Sequence, residues 1–204
     1  MSFKKEGYTI IEKAIDSKVA NFIYKYLLLK RDVLKTYIET NYITPYDDRH
    51  GTFKDPQVPG AFSAYGDIAM DVLLTEVKPI MEKTTGLKLI ETYSYTRVYE
   101  TGQILKKHKD RFSCEISTTL NLGGDHWDIF LKSKNNKDIQ VKLKPGDMLV
   151  YRGNILEHWR EPFKGKLCGQ VFLHYNNKAT KGSKENIYDG RIHLGLPNDL
   201  KSKR

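Results

Sequence analysis

The chain has 204 residues, of which 39% are hydrophobic and 29% charged, a length that suits one domain with its own core. The formal net charge of +9, from 34 basic and 25 acidic residues, favours anionic partners without identifying one. Two cysteines, Cys114 and Cys168, exclude a disulfide scaffold, and no apolar run suits a signal peptide or a membrane span. We therefore expect a cytoplasmic protein without membrane insertion.

Two helices are predicted in the first half of the chain. Asp16 is a suitable N-cap for the first helix, which is one long helix or is broken midway. Its apolar stripe is expected to contain Val19, Phe22, Ile23, Tyr26, Leu27, Val33, Leu34, Tyr37 and Ile38. An irregular loop rich in Pro and Gly follows over 41–66. The second helix begins after Asp67 and ends at Gly86, and Pro79 is expected to kink or divide it.

Short strands are predicted after Gly86, where Thr, Tyr, Ile and Val become frequent. They cover residues 87–99, 115–122, 128–131, 139–143, 148–151 and 170–175. This pattern indicates an α+β fold with a sandwich or barrel behind a layer of helices. We expect a single domain over residues 1–204. Its basic C-terminal segment, 176–204, is expected to be an arm packed over the barrel or a partly disordered tail.

Three polar side chains in the second half can form a metal site. In a strand, His108 and Asp110 would face the same side and direct a nitrogen and an oxygen at one ion. His158 follows a second unit of turn and strand, 144–151, and can supply the third ligand. Two imidazoles and one carboxylate leave coordination positions open, as in non-haem Fe(II) oxygenases. A His-x-Asp pair without a third ligand would be an ordinary surface pair.

The chain resembles the Fe(II)- and 2-oxoglutarate-dependent dioxygenases of the prolyl-hydroxylase-like branch. The resemblance rests on the residues 99–103 (YETGQ) before His108 and Asp110, on the strand 115–122, on 144–147 (KPGD), and on His158 with Pro162 after it. It covers residues 87–175, and the helices of 10–86 resemble the supporting helices of the family. It implies a double-stranded β-helix, or jelly roll, in which His108, Asp110 and His158 bind iron. The implied reaction couples oxidative decarboxylation of 2-oxoglutarate to hydroxylation of an unactivated C–H bond, with release of succinate and carbon dioxide.

The far carboxylate of 2-oxoglutarate requires a cation, and here the chain departs from the family pattern. The family places a Lys or Arg nine or ten residues after the distal histidine, where this chain has Leu167 and Cys168. Lys166 and Arg160 are the two alternatives, and Arg160 is slightly preferred because a guanidinium can bind a carboxylate through two hydrogen bonds. The resemblance also suggests co-substrate contacts from Asn121 and Tyr99, although a barrel tyrosine is often simply packed.

Substrate contacts are expected around the mouth of the barrel, from Arg97, Arg111 and Trp127. The competing interpretation for Arg111 is a salt bridge to Glu115, and for Trp127 it is core packing. Cys114 is expected to be a small buried residue and His174 a hydrogen-bonded sheet residue. The prolyl-hydroxylase-like relatives favour an amino-acid or peptide substrate.

Two other functions remain open. The first is a jelly roll without catalysis that binds nucleic acid or another polyanion through the basic runs 132–144 and 178–204, although these runs contain almost no aromatic residues. The second is a cupin-like metal enzyme that does not use 2-oxoglutarate.

Overall fold

Two antiparallel β-sheets lie face to face in the computed structural model, which describes residues 3–202. In chain order the α-helices and β-strands are α1 (Phe3–Glu6), β1 (Tyr8–Ile11), α2 (Ser17–Glu39), β2 (Phe62–Tyr65), α3 (Ile68–Thr85), β3 (Leu89–Glu100), β4 (Leu105–His108), β5 (Ile116–Gly124), β6 (Ile129–Lys132), β7 (Asp138–Val141), β8 (Met148–Tyr151), β9 (His158–Arg160) and β10 (Leu167–Asn177), and two short 3-10 helices cover Phe112–Cys114 and Ser183–Gly190. The larger sheet has the strand order β1-β8-β5-β10-β3-β2, and the smaller sheet has the order β4-β9-β6-β7.

Both long helices begin and end where local capping predicts. The Asp16 carboxylate accepts a hydrogen bond from the amide of Lys18 at 2.7 Å, and α2 then runs unbroken to Glu39. Asp67 caps α3, and Gly86 ends it with a left-handed φ of 69°. The expected division at Pro79 is wrong, because α3 continues through this residue. The missing amide of Pro79 costs one backbone hydrogen bond, whereas the buried face of α3 keeps the whole helix packed.

The larger sheet is covered on both faces, which explains why its strands are almost entirely buried. Along β10, Val171 and Leu173 face the hydrophobic core under the helices, whereas Phe172 and His174 face the smaller sheet. Gly169 lets helix α2 approach this sheet closely. The ring of Tyr24 occupies the space that a side chain at position 169 would fill. The face toward the smaller sheet therefore carries the polar residues, and the opposite face anchors the helices.

Some short strands and helix faces differ from the sequence-based predictions. No bounds were predicted for the strands β1, β2, β4 and β9, although His108 was expected to lie in a strand. Strand β2 lies inside the predicted loop 41–66, and with β1 it adds to the larger sheet, so the range 10–86 is not purely helical.

The predicted apolar stripe of α2 is also partly wrong. Its buried residues are Ala20, Ile23, Leu27 and Leu34, whereas Val19 and Phe22 are exposed.

The C-terminal segment is a packed arm as far as the structure describes it. Its anchor is Arg191, which is fully buried and whose Nη1 lies 2.9 Å from Oδ2 of Asp71 in α3. The same nitrogen donates to the carbonyl of Leu196 at 2.9 Å. Residues 178–202 therefore pack against α3, as in the first of the two arrangements expected for this segment. Across residues 3–202, none of the helices combines the length and the apolar character needed to cross a membrane.

Candidate metal centre and its cavity

The residues His108, Asp110 and His158 meet between the two sheets. His108 ends β4, His158 begins β9, and these two residues lie opposite each other in the antiparallel pair. The Oδ1 atom of Asp110 lies 3.6 Å from Nε2 of His108 and 3.5 Å from Nε2 of His158. Asp110 was expected to share a strand with His108, and this is wrong, because Asp110 follows the end of β4. The strand ends because the chain turns inward, and the amide of Asp110 donates to the carbonyl of Gly153 at 2.9 Å.

Gly153 is needed for this turn. A Cβ atom at this position would lie 2.3 Å from Oδ2 of Asp110 and 2.4 Å from Oγ of Ser117. Any larger residue would displace the carboxylate. The glycine therefore holds Asp110 close to the histidines by leaving room for it.

Backbone carbonyls set the tautomer of both histidines. The Nδ1–H of His108 donates to the carbonyl of Lys106 at 2.8 Å, and the Nδ1–H of His158 donates to the carbonyl of Leu156 at 3.0 Å. Because a carbonyl oxygen only accepts, each Nδ1 carries the proton and each Nε2 presents its lone pair. Both lone pairs are therefore available on the side of the Asp110 carboxylate.

This ligand set fits a divalent transition metal. Three donors at about 2.1 Å from one ion lie about 3 Å apart, close to the separations between these nitrogens and the Asp110 oxygen. Burial by itself raises the pKa of Asp110, but His108 and His158, when protonated, have a larger opposite effect and hold this pKa well below its usual range. The carboxylate is thus charged at neutral pH, as a metal ligand must be.

A second cluster, Asp110, Cys114 and His174, is a poorer metal site. Burial raises the pKa of the Cys114 thiol to about 12, and the sulfur lies 3.0 Å from the hydroxyl of Tyr93. Burial also lowers the pKa of His174 to about 4, so this imidazole is neutral, and its Nδ1 lies 3.1 Å from Oγ of Ser117. His174 is therefore a hydrogen-bonded sheet residue, as predicted, and a protonated thiol does not ligate a metal.

A cavity of about 150 Å³ opens beside His108, Asp110 and His158. Aromatic and apolar side chains from both sheets form most of its wall, and Gln57 reaches it from the loop before β2. The lining residues are Gln57, Tyr93, Tyr95, Arg97, Leu105, His108, Asp110, Ile129, Tyr151, His158, Phe172 and His174. Such a wall keeps most water away from the ligand atoms while leaving one side of the site open.

The two alternative cations for a far carboxylate are in different environments. Arg160 is buried between the sheets on the same strand as His158, and its Nη1 and Nη2 donate to the carbonyl of Trp127 at 2.5 Å and to Oγ1 of Thr119 at 3.3 Å. Among the described residues, its Nε has no hydrogen-bond partner and its guanidinium has no carboxylate within salt-bridge distance. Lys166 is exposed, and its amide donates to Asp125 at 2.6 Å. The buried and incompletely bonded cation is Arg160.

The predicted co-substrate contacts, Asn121 and Tyr99, are both buried but already hydrogen-bonded within the protein. The amide nitrogen of Asn121 donates to the carbonyl of Leu143 at 2.7 Å, and its Oδ1 accepts from the amide of Gly123 at 3.0 Å. The hydroxyl of Tyr99 accepts from Nη1 of Arg97 at 3.3 Å, and its ring packs against Trp127.

The predicted substrate contacts separate into one cavity residue and two that lie elsewhere. Arg97 lines the cavity, and its guanidinium is paired with the buried Asp55 at 2.6 Å. Arg111 is half exposed and bonds to Asp189 of the C-terminal arm at 2.8 Å, so the expected alternative partner, Glu115, is not the one it uses. Trp127 packs with Tyr99 and donates to the carbonyl of Glu161. Core packing is therefore what the structure supports for Trp127.

Several residues that line the cavity or bond to its lining were not singled out from the sequence. Gln57 and its neighbour Asp55 lie in an irregular loop, so no periodicity marks them. Tyr151 and Ser117 could have been found, because in β8 and β5 they lie on the same face as other inward residues. The network of Ser117 with Asp110 needs the three-dimensional structure, since its members come from different parts of the chain.

No protein-family model and no curated protein sequence matches the chain. Solved structures do match it. A prolyl-4-hydroxylase from Pseudomonas putida aligns with a TM-score of 0.63 and 11% identity, over 87% of this chain and 96% of that one. A prolyl hydroxylase from Trichoplax adhaerens, in complex with a hypoxia-inducible-factor peptide, aligns with a TM-score of 0.61 and 15% identity, over 86% of each chain.

The epimerase SnoN, in complex with Fe³⁺, α-ketoglutarate and nogalamycin RO, aligns with a TM-score of 0.61 and 12% identity, over 86% of this chain and 80% of that one. At such identities the similarity concerns the fold and not the activity. The chain therefore has the fold of the iron- and 2-oxoglutarate-dependent oxygenases to which these solved structures belong.

Proposed function

We propose that this protein is an Fe(II)- and 2-oxoglutarate-dependent dioxygenase that hydroxylates an unactivated C–H bond. The observation that carries the proposal is the convergence of Nε2 of His108, Nε2 of His158 and Oδ1 of Asp110 beside an open cavity. Two imidazoles and one carboxylate with free positions are the ligand set of this class. We further propose that the two facing sheets form a double-stranded β-helix, to which their antiparallel pairing and orders correspond.

In this proposal the three side chains hold iron, and 2-oxoglutarate and dioxygen are co-substrates. Iron with bound 2-oxoglutarate supplies the oxidising chemistry, which releases succinate and carbon dioxide and hydroxylates the substrate. The protein contributes the charge of Asp110 and the fixed imidazole tautomers. Cavity side chains such as Tyr151 and Phe172 exclude water from the reacting centre.

We assign the far carboxylate of 2-oxoglutarate to Arg160 in preference to Lys166. A buried guanidinium without a carboxylate partner is costly unless an anionic ligand completes its environment. The free Nε of Arg160, together with its terminal nitrogens, offers the paired donors that suit a carboxylate. Asn121 and Tyr99 would then support the same region from the adjoining strands, through the bonds they already make.

For the substrate we propose an amino acid or a peptidyl side chain of prolyl type. The support is an analogy of fold with the prolyl hydroxylases, one of which is solved with a peptide bound. Arg97, which lines the cavity, is the proposed polar contact with the substrate. Arg111 and Trp127 lie outside the cavity lining. A cytoplasmic location remains part of this proposal.

The test is anaerobic addition of Fe(II) to the apoprotein, with and without 2-oxoglutarate, while recording the visible spectrum. A metal-to-ligand charge-transfer band that needs both components is the expected result. Succinate release on admission of oxygen would then allow peptides and amino acids to be compared as substrates. Iron binding without the band would contradict the use of 2-oxoglutarate and favour a cupin-like enzyme. Absence of iron binding would contradict the metal site itself and redirect attention to polyanions.

A further inference from the structure

The outer face of α2 carries an apolar stripe that the described chain leaves uncovered. Phe22 and Leu29 expose 73% and 66% of their surfaces, and Val19, Tyr26 and Val33 continue the stripe. Their positions follow the alternating spacing of three and four residues that helices use to pack side by side. The stripe is separate from the buried face of α2, which contains Leu27 and Leu34. An exposed stripe of this size usually marks an interaction surface.

The neighbouring start of α3 enlarges the stripe. The Tyr26 hydroxyl donates to Asp67 at 2.7 Å, and Lys30 pairs with the same carboxylate, so α2 is fixed against the start of α3. Ile68, directly after Asp67, is 69% exposed, and Val72 follows one turn later. Side chains of these sizes present on the order of 600 Å² together, near the roughly 800 Å² that each partner buries in a standard interface.

The charged residues along one flank of the stripe are complementary to the same residues on a second α2 helix that runs in the opposite direction. The positions along one flank are Lys18, Lys25, Asp32 and Glu39, seven residues apart, and all four are exposed. In an antiparallel pair of α2 helices, Lys18 lies opposite Glu39 and Lys25 opposite Asp32, and two-fold symmetry repeats each pair. In a parallel pair Lys25 would approach Lys30 of the other helix. Asp32 and Glu39 expose 61% and 62% of their side chains, so their present contacts with Arg31 and Lys35 leave both carboxylates accessible.

We propose that α2 is the dimerisation helix of this protein and that its occupant is a second copy of the chain in antiparallel orientation. Phe22 of one copy packs against Val33 of the other, and Tyr26 packs against Leu29. Because α2 lies on the outer face of the larger sheet, the dimer leaves the cavity between the sheets open. The proposal is independent of the chemistry at the metal site.

The test is sedimentation velocity of the full-length protein from low to high micromolar concentration, at low ionic strength. The sedimentation of the wild type is expected to give a molecular mass twice that of one chain. Leu29→Lys is expected to weaken the dimer by roughly 100-fold or more, since each dimer contains the change twice. Ile155→Lys is the matched control, because Ile155 is 50% exposed on the turn before β9, and it should leave the dimer unchanged.

Charge reversal tests the antiparallel register. Lys25→Asp and Asp32→Lys should each weaken the dimer, and the double variant should restore it, because the swapped charges again lie opposite each other. Circular dichroism checks that each variant is folded. A wild type that stays monomeric, or a dimer that Leu29→Lys leaves intact, would overturn the proposal. A dimer that Leu29→Lys disrupts but that the double charge swap fails to restore would overturn its antiparallel arrangement.

Discussion

The Ser117 hydroxyl donates a hydrogen bond of 2.7 Å to Oδ2 of Asp110, while Oδ1 of the same carboxylate faces the two histidines. The carboxylate is thus held from behind, and one oxygen remains available to a metal. Ser117 itself lies near Nδ1 of His174, which makes the buried His174 part of the support for Asp110. Such supporting hydrogen bonds orient ligands and change the affinity for metal.

The first prediction follows from this bond. Ser117→Ala should weaken Fe(II) binding by about 10- to 100-fold, because the carboxylate loses the donor that orients it. Anaerobic calorimetric titration measures the effect. Ser113→Ala is the control, since its buried hydroxyl has no hydrogen-bond partner among residues 3–202 and its removal should leave the affinity unchanged. Equal affinities in the Ser117 variant and the wild type would mean that the carboxylate needs no such support.

The second prediction concerns the proposed iron ligands. His158→Ala should abolish Fe(II)-dependent turnover of 2-oxoglutarate and the charge-transfer band, because two ligands do not retain the ion tightly. The far-ultraviolet circular dichroism should remain near that of the wild type. His126→Ala is the matched control, because His126 is exposed and pairs with Asp128 away from the three ligands. Turnover that survives in the His158 variant would remove this residue from the metal site.

The third prediction separates the two cations proposed for 2-oxoglutarate. Arg160→Lys keeps the charge but loses the Nε donor and the planar fork, so the dissociation constant of 2-oxoglutarate should rise by roughly 10- to 100-fold. Lys166→Ala should have little effect, because this side chain is exposed. Titration of the charge-transfer band measures both constants. The opposite ranking of the two variants would transfer the role to Lys166.

The fourth prediction is a dependence of stability on pH that arises from Asp55. Burial raises the pKa of this carboxyl, but Arg97, with the hydrogen bonds from Tyr95 and Gln57, outweighs burial and lowers it. A lowered folded-state pKa contributes stability above the unfolded value of about 3.9, and this contribution is lost as the pH falls through the folded value. Asp55→Asn should cost about 3 kcal/mol or more at pH 7 and should flatten the loss of stability below about pH 4.

Urea unfolding of the Asp55 variant at several pH values tests this. Asp138→Asn is the control, because the Asp138–Lys132 pair is at the surface, where water screens it, and its loss should change the stability little. If Asp55→Asn and Asp138→Asn have equal effects at pH 7, the pairing of Asp55 with Arg97 is not what holds the loop to β3.

The fifth prediction concerns the C-terminal arm. Arg191→Ala leaves the carboxylate of Asp71 buried without its charged partner, which should destabilise the protein by about 3–5 kcal/mol. Lys201→Ala removes an exposed side chain that bonds to the carbonyl of Asp189 and should change stability by less than about 1 kcal/mol. Thermal and urea unfolding measure both changes. A stable Arg191 variant would show that the arm is not required for the folded core.

Local features were predictable because they depend on neighbouring residues. Asp16, Asp67 and Gly86 mark helix ends through bonds within one turn, so the amino-acid order was enough to place them. The sequence likewise singled out His108, Asp110 and His158 as candidate metal ligands, and the structure brings these three side chains together. Composition and turns also marked the basic C-terminal segment and the strands β3, β5, β6, β7, β8 and β10.

Long-range contacts determined the rest. Asp71 and Arg191 are 120 positions apart, and Asp55 and Arg97 are 42 apart, so no local pattern connects them. The sequence also left Arg160 and Lys166 nearly equivalent, because a one-dimensional spacing does not show which side chain is buried. The structure distinguishes these two residues by burial. Arg160 lies between the two sheets, away from water, whereas Lys166 is solvated. Local hydrogen bonds determine where helices and strands begin and end. The free-energy cost of a buried charge depends on the exclusion of water, and water is excluded only once the two sheets are assembled.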